Sequence, residues 1–126
     1  MLTLPPAVRV HLAVQPIDIR KSFDGLSGAV REVLSEDPFS GHLFVFRNKR
    51  GDMLKVLWWS RGGFAIFYKR LERGTFHLPR RVDPDARAIV VDTTELALML
   101  EGIDLPATRR RVRWVPPAHG SVMRNA

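Results

Sequence analysis

Four carboxylates invite the first chemical reading of this chain: Asp37, Asp52, Asp92 and Glu95. Two or three convergent carboxylates can hold divalent metals beside a scissile phosphate, which is the chemistry of a metal-dependent nuclease. The local setting of each acid offers a plainer role. Asp92-Thr93-Thr94-Glu95 has the spacing of a capping box, with an acid at the helix start and a Glu three residues on. Asp37 stands before Pro38 and reads as a turn residue. Asp52-Met53-Leu54-Lys55 has one residue too many for the acid-x-Lys half of a restriction-type nuclease motif. A metal nuclease therefore remains only the remote alternative.

Other catalytic chemistry finds less support. His11, His42, His77 and His119 are never two apart, nor four apart as on one helix face, so the spacing predicts no metal site. Ser22, Ser27, Ser40, Ser60 and Ser121 lie in no Gly-x-Ser-x-Gly elbow, and no phosphate-binding Gly-x-x-x-x-Gly-Lys-Ser/Thr loop occurs. With no Cys in the sequence there are no disulfides, thiolate ligands or Cys nucleophiles. The expectation is a protein without enzymatic activity and without a cofactor.

The positive charge carries a stronger signal. Between Arg47 and Arg81 there are ten Lys/Arg and two Asp/Glu, a local balance of +8, where the whole chain carries +7. By contrast, Val82 to Thr108 holds six acids and one base. Such a division polarises the surface and points to an acidic polymer as partner, nucleic acid above all, because each neutralised phosphate releases condensed counterions. Arg far outnumbers Lys, as it also does where genome composition favours Arg, so charge alone leaves a bland reading open. Arg47, Lys49, Arg50, Lys55, Arg61, Lys69, Arg70 and Arg73 are the candidate DNA contacts. Trp58 and Trp59, adjacent and so on opposite faces of a strand, are the candidates for partner binding or base stacking; at least one belongs in the core.

Periodicity predicts the elements that must carry these residues. Val8 to Val14 reads as a strand ended by Gln15-Pro16. Asp18 reads as the N-cap of a helix running to Leu34, whose apolar stripe is Ile19, Phe23, Leu26, Val30, Val33 and Leu34. Gly25 and Gly28 interrupt it, either for close packing or as an irregularity. Three strands follow, over Leu43–Arg47, Met53–Trp59 and Phe64–Arg70, joined at Asn48-Lys49-Arg50-Gly51 and Ser60-Arg61-Gly62-Gly63 by connections of about four residues, which makes an antiparallel meander. Along the middle strand Leu54, Val56 and Trp58 face one way and Lys55, Leu57 and Trp59 the other, so both faces need partial cover. A short extended piece lies around Thr75–Leu78. Ala88 to Val91 forms a last strand before the capped helix, which Gly102 stops.

The expected architecture is α+β: an antiparallel β-meander sheet packed against two helices as a single domain over residues 1–108. Residues 109–126, with Arg109, Arg110, Arg111 and Arg113 and a Pro-containing end, read as a basic flexible tail. That length suffices to bury a real core. No apolar run approaches the ~18 residues of a membrane span, and together with the missing cysteines this predicts a cytoplasmic protein, nucleoid-associated if it binds DNA.

Five blocks in order resemble one known family. They are Asp18-Ile19-Arg20-Lys21-Ser22-Phe23-Asp24-Gly25-Leu26, Asp37-Pro38-Phe39-Ser40-Gly41-His42-Leu43-Phe44-Val45-Phe46, Lys55-Val56-Leu57-Trp58-Trp59, Tyr68-Lys69-Arg70-Leu71-Glu72-Arg73-Gly74 and Leu96-Ala97-Leu98-Met99-Leu100-Glu101-Gly102-Ile103-Asp104. Together they are similar to the TnpB-type accessory proteins, products of the second open reading frame of insertion sequence sixty-six transposons, a group unrelated to the RNA-guided nuclease of the same name, and the resemblance covers roughly Val8 to Asp104. The resemblance implies a bacterial protein that acts beside a separate, larger transposase and does not cut DNA itself. It brings no catalytic or binding residues to transfer. Ser60, where relatives often carry an acid, and Leu78, where an aromatic is common, depart from the pattern. Two functions follow: a non-catalytic transposition accessory protein that binds DNA through its basic hairpin face, or an adaptor that docks the transposase through the surface around Trp58 and Trp59.

Overall fold

The computed structural model describes residues 7–79 and 83–101. Seven elements follow in chain order: β1 Val10–Ala13, α1 Phe23–Glu32, β2 Leu43–Arg47, β3 Met53–Ser60, β4 Gly63–Arg70, β5 Ala88–Val91 and α2 Thr93–Leu100. They form an α+β fold around one five-stranded sheet of order β4-β3-β2-β1-β5. Gly102, Arg80, Arg81 and the segment 109–126 lie outside the described residues.

The β2-β3-β4 meander is antiparallel throughout, as its alternating pattern predicts, with Phe44 opposite Leu57 and Val56 opposite Phe67. The connection after β3 is tighter than expected, because Ser60 and Gly63 already pair and only Arg61 and Gly62 turn. Both turn residues are left-handed, at φ 47° and 84°, the backbone that matches the twist of a two-residue hairpin. The first turn relies on side-chain chemistry instead: Asn48 Oδ1 accepts from the Gly51 and Met53 amides at 2.9 and 3.0 Å.

Strand β1 inserts between β2 and β5, parallel to the former and antiparallel to the latter. Parallel neighbours need a crossover, and α1 supplies it. This helix is shorter than its apolar stripe predicts. It starts at Phe23 after Ser22, not after Asp18. Asp18 instead closes a local turn, its Oδ1 accepting from the Arg20 amide at 3.0 Å while its carboxylate also binds the Arg20 guanidinium at 2.8 Å. The same short acidic side chain that can cap a helix can equally fold back on the residue two ahead. Inside α1, a Cβ on Gly25 would meet the Lys21 side chain at 3.1 Å, so this glycine permits a close approach.

The two helices cover opposite faces of the sheet. On one, Leu26, Ala29, Val30 and Leu34 pack with Ala13, Phe44, Phe46 and Leu57. On the other, Leu96 and Met99 of α2 join Val10, Leu12, Leu43, Val45, Leu54, Val56 and Phe76. The strands therefore bury both their odd and their even residues, which explains why they read as near-continuous apolar runs. Phe23 and Val33, counted into the stripe of α1, are exposed at its rim. The capping box of α2 forms as its spacing predicts: the Glu95 amide donates to Asp92 Oδ1 at 2.8 Å and the Asp92 amide to Glu95 Oε1 at 3.1 Å.

Candidate nucleic-acid interface

The register sorts the eight candidate cations into two ends of the sheet. Arg47, Lys49 and Arg50 lie at and beyond the β2–β3 turn, and Met53 after that turn pairs with Arg70 at the end of β4. The chain beyond β4 stays alongside the turn, because the Leu71 amide donates to Asp52 O and the Phe76 amide to Gly51 O, both at 2.8 Å. Arg73 therefore belongs to this same end. Arg61 is the exception, at the β3–β4 hairpin on the opposite end.

Position within the strand decides which cations are available. Lys49, Arg50, Arg70 and Arg73 are exposed. Arg50 stands 3.7 Å from Asp52, and Arg70 lies 3.2 Å from Glu72; such exposed ion pairs contribute little and yield readily to a stronger anion. Lys49 and Arg73 have no ion-pair partner among the described residues. Lys55, by contrast, is turned inward. It is 8% exposed, its Nζ donates to the Lys21 carbonyl at 2.8 Å, and the ammonium lies 4.7 Å from the Tyr68 ring centroid. Lys69 is half-buried and binds the Leu100 carbonyl at 2.8 Å, neutralising the negative end of α2. Arg47 donates to the Val14 carbonyl at 2.9 Å, and its Nε is buried without a partner. Burial pulls the Arg47 guanidinium down from its ordinary value.

The fold brings further cations to this end. The Ile17 amide donates to the Arg47 carbonyl at 3.0 Å, and Lys55 reaches the Lys21 backbone, so the loop before α1 lines the same end. It adds exposed Arg20 and Lys21. Their distance along the chain from Lys49 gives no hint of this; the parallel crossover creates it. The Arg20 guanidinium in turn holds the Asp18 carboxyl well below the usual carboxylate range.

The tryptophans separate as alternation requires. Trp58 packs against the core beneath α2. Trp59 stacks edge-on with Phe39 and Phe64, each at 5.0 Å between centroids, and Phe39 and Phe64 lie 5.3 Å apart. Phe39 is 48% exposed and has the Arg31 guanidinium 5.9 Å from its ring centroid. This aromatic cluster sits at the hairpin end, away from the basic one. The sequence gives no pointer to Phe39, because its turn between α1 and β2 carries no periodic signal.

The candidate carboxylates do not converge. Asp37 accepts from the Phe39 amide at 2.9 Å at the aromatic end, and Asp52 accepts from Asn48 Nδ2 at 2.8 Å at the basic end, which holds its carboxyl below the ordinary value. Asp92 and Glu95 serve the cap of α2. Among the described residues no group of three or more His, Asp or Glu is placed to share a metal ion, and no helix is long and apolar enough to cross a membrane.

With the two covered faces and the basic end of the sheet described, comparison with known proteins gives the family. The family model described as "IS66 Orf2 like protein" matches residues 8–110, and the chain belongs to that family. Membership implies an accessory protein associated with transposition, in a family not known as catalytic. Two proteins of Sinorhizobium fredii, both uncharacterized, are similar along most of their length. Protein y4hO is 40% identical over 104 residues, covering 82% of this chain and 88% of the relative. Protein y4jC is 35% identical over 104 residues, covering 82% and 86%. No solved structure matches the chain.

Proposed function

We propose that this protein is a non-catalytic transposition accessory factor that grips DNA phosphates with the end of the sheet formed by the β2–β3 turn, the β4 terminus and the loop before α1. The observation that supports this reading is the gathering of exposed Lys49, Arg50, Arg70 and Arg73 at one end, with Arg20 and Lys21 beside them. A rigid hairpin tip carrying cations suits a groove or a phosphate row, and contacts of this kind position a protein without reading sequence. Lys55, Lys69 and Arg47 then serve the scaffold, since each already binds a protein carbonyl. Arg61, at the far end, stands outside the contact set.

The cluster of Phe39, Trp59 and Phe64 supports a second reading, in which the hairpin end docks the transposase of the same element. A half-exposed aromatic group with an Arg beside it has the composition of an interface anchor. The two roles use different ends and are compatible.

The test titrates the purified chain against a labelled duplex carrying a transposon end and a scrambled duplex of equal length, at two salt concentrations with Mg²⁺ present. Salt-sensitive binding without cleavage supports the phosphate-gripping role, and preference for the transposon end makes the protein part of end recognition. Absence of binding near physiological salt removes the direct DNA role and leaves docking at Phe39 and Trp59. Cleavage refutes the non-catalytic assignment.

A further inference from the structure

Strand β4 is an edge strand, with no other strand among the described residues paired along its outer side. It pairs with β3 along its full eight residues without a bulge, and no strand lies on its other side. Natural edges are shortened, bulged, or carry Lys or Pro in their middle. The opposite edge, β5, follows that rule with only four residues, bounded by Arg87 and Asp92. The middle of β4, Phe64-Ala65-Ile66-Phe67-Tyr68, follows none of it, and Phe67 and Tyr68 are 42% and 53% exposed.

Which amides face outward follows from the ladder. Leu71 donates inward to Asp52, and in an antiparallel pair inward bonds recur at every second residue. Lys69, Phe67, Ala65 and Gly63 therefore bond toward β3, while Tyr68, Ile66 and Phe64 turn their N–H and C=O groups to the free edge. Three outward residues in a row are a template for another strand.

We infer that a second copy of this chain occupies the edge, with two β4 strands pairing antiparallel about a twofold axis through Ile66. This register sets Ile66 against Ile66, Phe64 against Tyr68 and Ala65 against Phe67, so every apolar residue meets an apolar one. Shifting it by one step puts Phe64 against Arg70 and Ala65 against Lys69. The charge pattern selects the antiparallel sense as well. Lys69 and Arg70 occupy only one end of β4, so a parallel pair stacks like charges, whereas the twofold pair sets Lys69 against Gly63 and holds the two Lys69 residues about 20 Å apart, beyond the ~8 Å reach of charge at physiological salt. Pairing adds about six backbone hydrogen bonds, two for each hydrogen-bonded residue pair. It joins two five-stranded sheets into one and places the basic ends of the copies at opposite extremes. The inference stands on the β4 edge alone and does not depend on DNA binding.

Sedimentation equilibrium of the full chain over a hundredfold concentration range tests it, with approach to twice the 14.3 kDa monomer mass as the expected result. Tyr68→Pro removes an outward amide while sparing the bonds to β3, and is expected to weaken association at least tenfold with circular dichroism unchanged. If that variant fails to fold, Phe67→Lys, at a half-exposed position on the same edge, is expected to produce the same weakening. The sequence has no Cys, so a single introduced thiol reports its own neighbour. Ile66→Cys should crosslink to itself on mild oxidation, because directly opposed strand residues lie within disulfide reach, whereas Val90→Cys on the other edge should not. A monomer at every concentration overturns the inference, as does a dimer that tolerates both edge variants or that crosslinks through Val90→Cys instead.

Discussion

Replacing Lys49 and Arg50 together by Ala should cut the salt dependence of DNA binding by about a third. Six cations, Lys49, Arg50, Arg70 and Arg73 with Arg20 and Lys21 of the loop before α1, are exposed at the basic end, and they set the number of phosphates neutralised at about six. With a slope of roughly −0.9 per phosphate, log affinity then falls with log salt at about −5.4, an approximately 1,800-fold loss between about 50 and 200 mM. The double variant keeps about four contacts, so its slope is about −3.6 and its loss over the same range about 150-fold. Fluorescence anisotropy of a labelled duplex, repeated across the salt series, reads both slopes. Arg61→Ala is the internal control: it removes the same formal charge class from the far end of the sheet and should leave the slope where it was. An unchanged slope in the double variant, or an equal fall with Arg61→Ala, shows that overall charge and not this end of the sheet binds DNA.

Lys55→Met keeps the buried stem but strips the ammonium from the Lys21 carbonyl, and should cost about 1–2 kcal/mol in urea unfolding while sparing the DNA salt slope. Arg61→Asn places a residue tolerant of left-handed backbone at φ 47° ahead of Gly62, and should stabilise by about 0.5–1 kcal/mol in the same assay. His11 is buried, stacked on Phe44 at 5.1 Å, and desolvation lowers its pKa below 6.5 against an opposing pull from Glu36, with His42 and Arg9 adding to the lowering. The unfolded chain therefore binds the proton first, so stability should fall as pH drops below about 6.5, by at most about 1.4 kcal/mol per unit, and His11→Phe should flatten that limb of the thermal melt.

Local chemistry explains which parts of this architecture were legible in the sequence. The meander and the capping box depend on neighbours: alternation from Leu43 to Arg70, glycines in both turns, and Asp92 three residues before Glu95. The place of β1 depends on residues far along the chain, since Val10 must find both Leu43 and Val91. No short-range pattern encodes such a choice. The start of α1 is not legible locally because Asp18 offers two local hydrogen-bonding solutions, and only the Arg20 side chain beside it favours the turn. At the candidate site, sequence located the basic hairpin but could not sort its cations. Lys55 occupies the same alternating face as Trp59, yet only the crossover loop supplies the carbonyl that draws its ammonium inward. Phe39 joined Trp59 for the same reason: their contact links a turn to a strand twenty residues later.

The position of β1 also dictates an order of assembly on the ribosome. Its four residues are all buried and lie between β2 and β5, yet β5 is translated about seventy-five residues after them. Until Ala88–Val91 leaves the exit tunnel, the nascent sheet ends at β1, a largely apolar strand whose outer edge has no neighbour yet. The meander can close early, but the most buried strand must wait for one of the last elements synthesised. A chain that ends before Ala88 therefore leaves the buried strand β1 with one edge unpaired, an exposed template for aggregation.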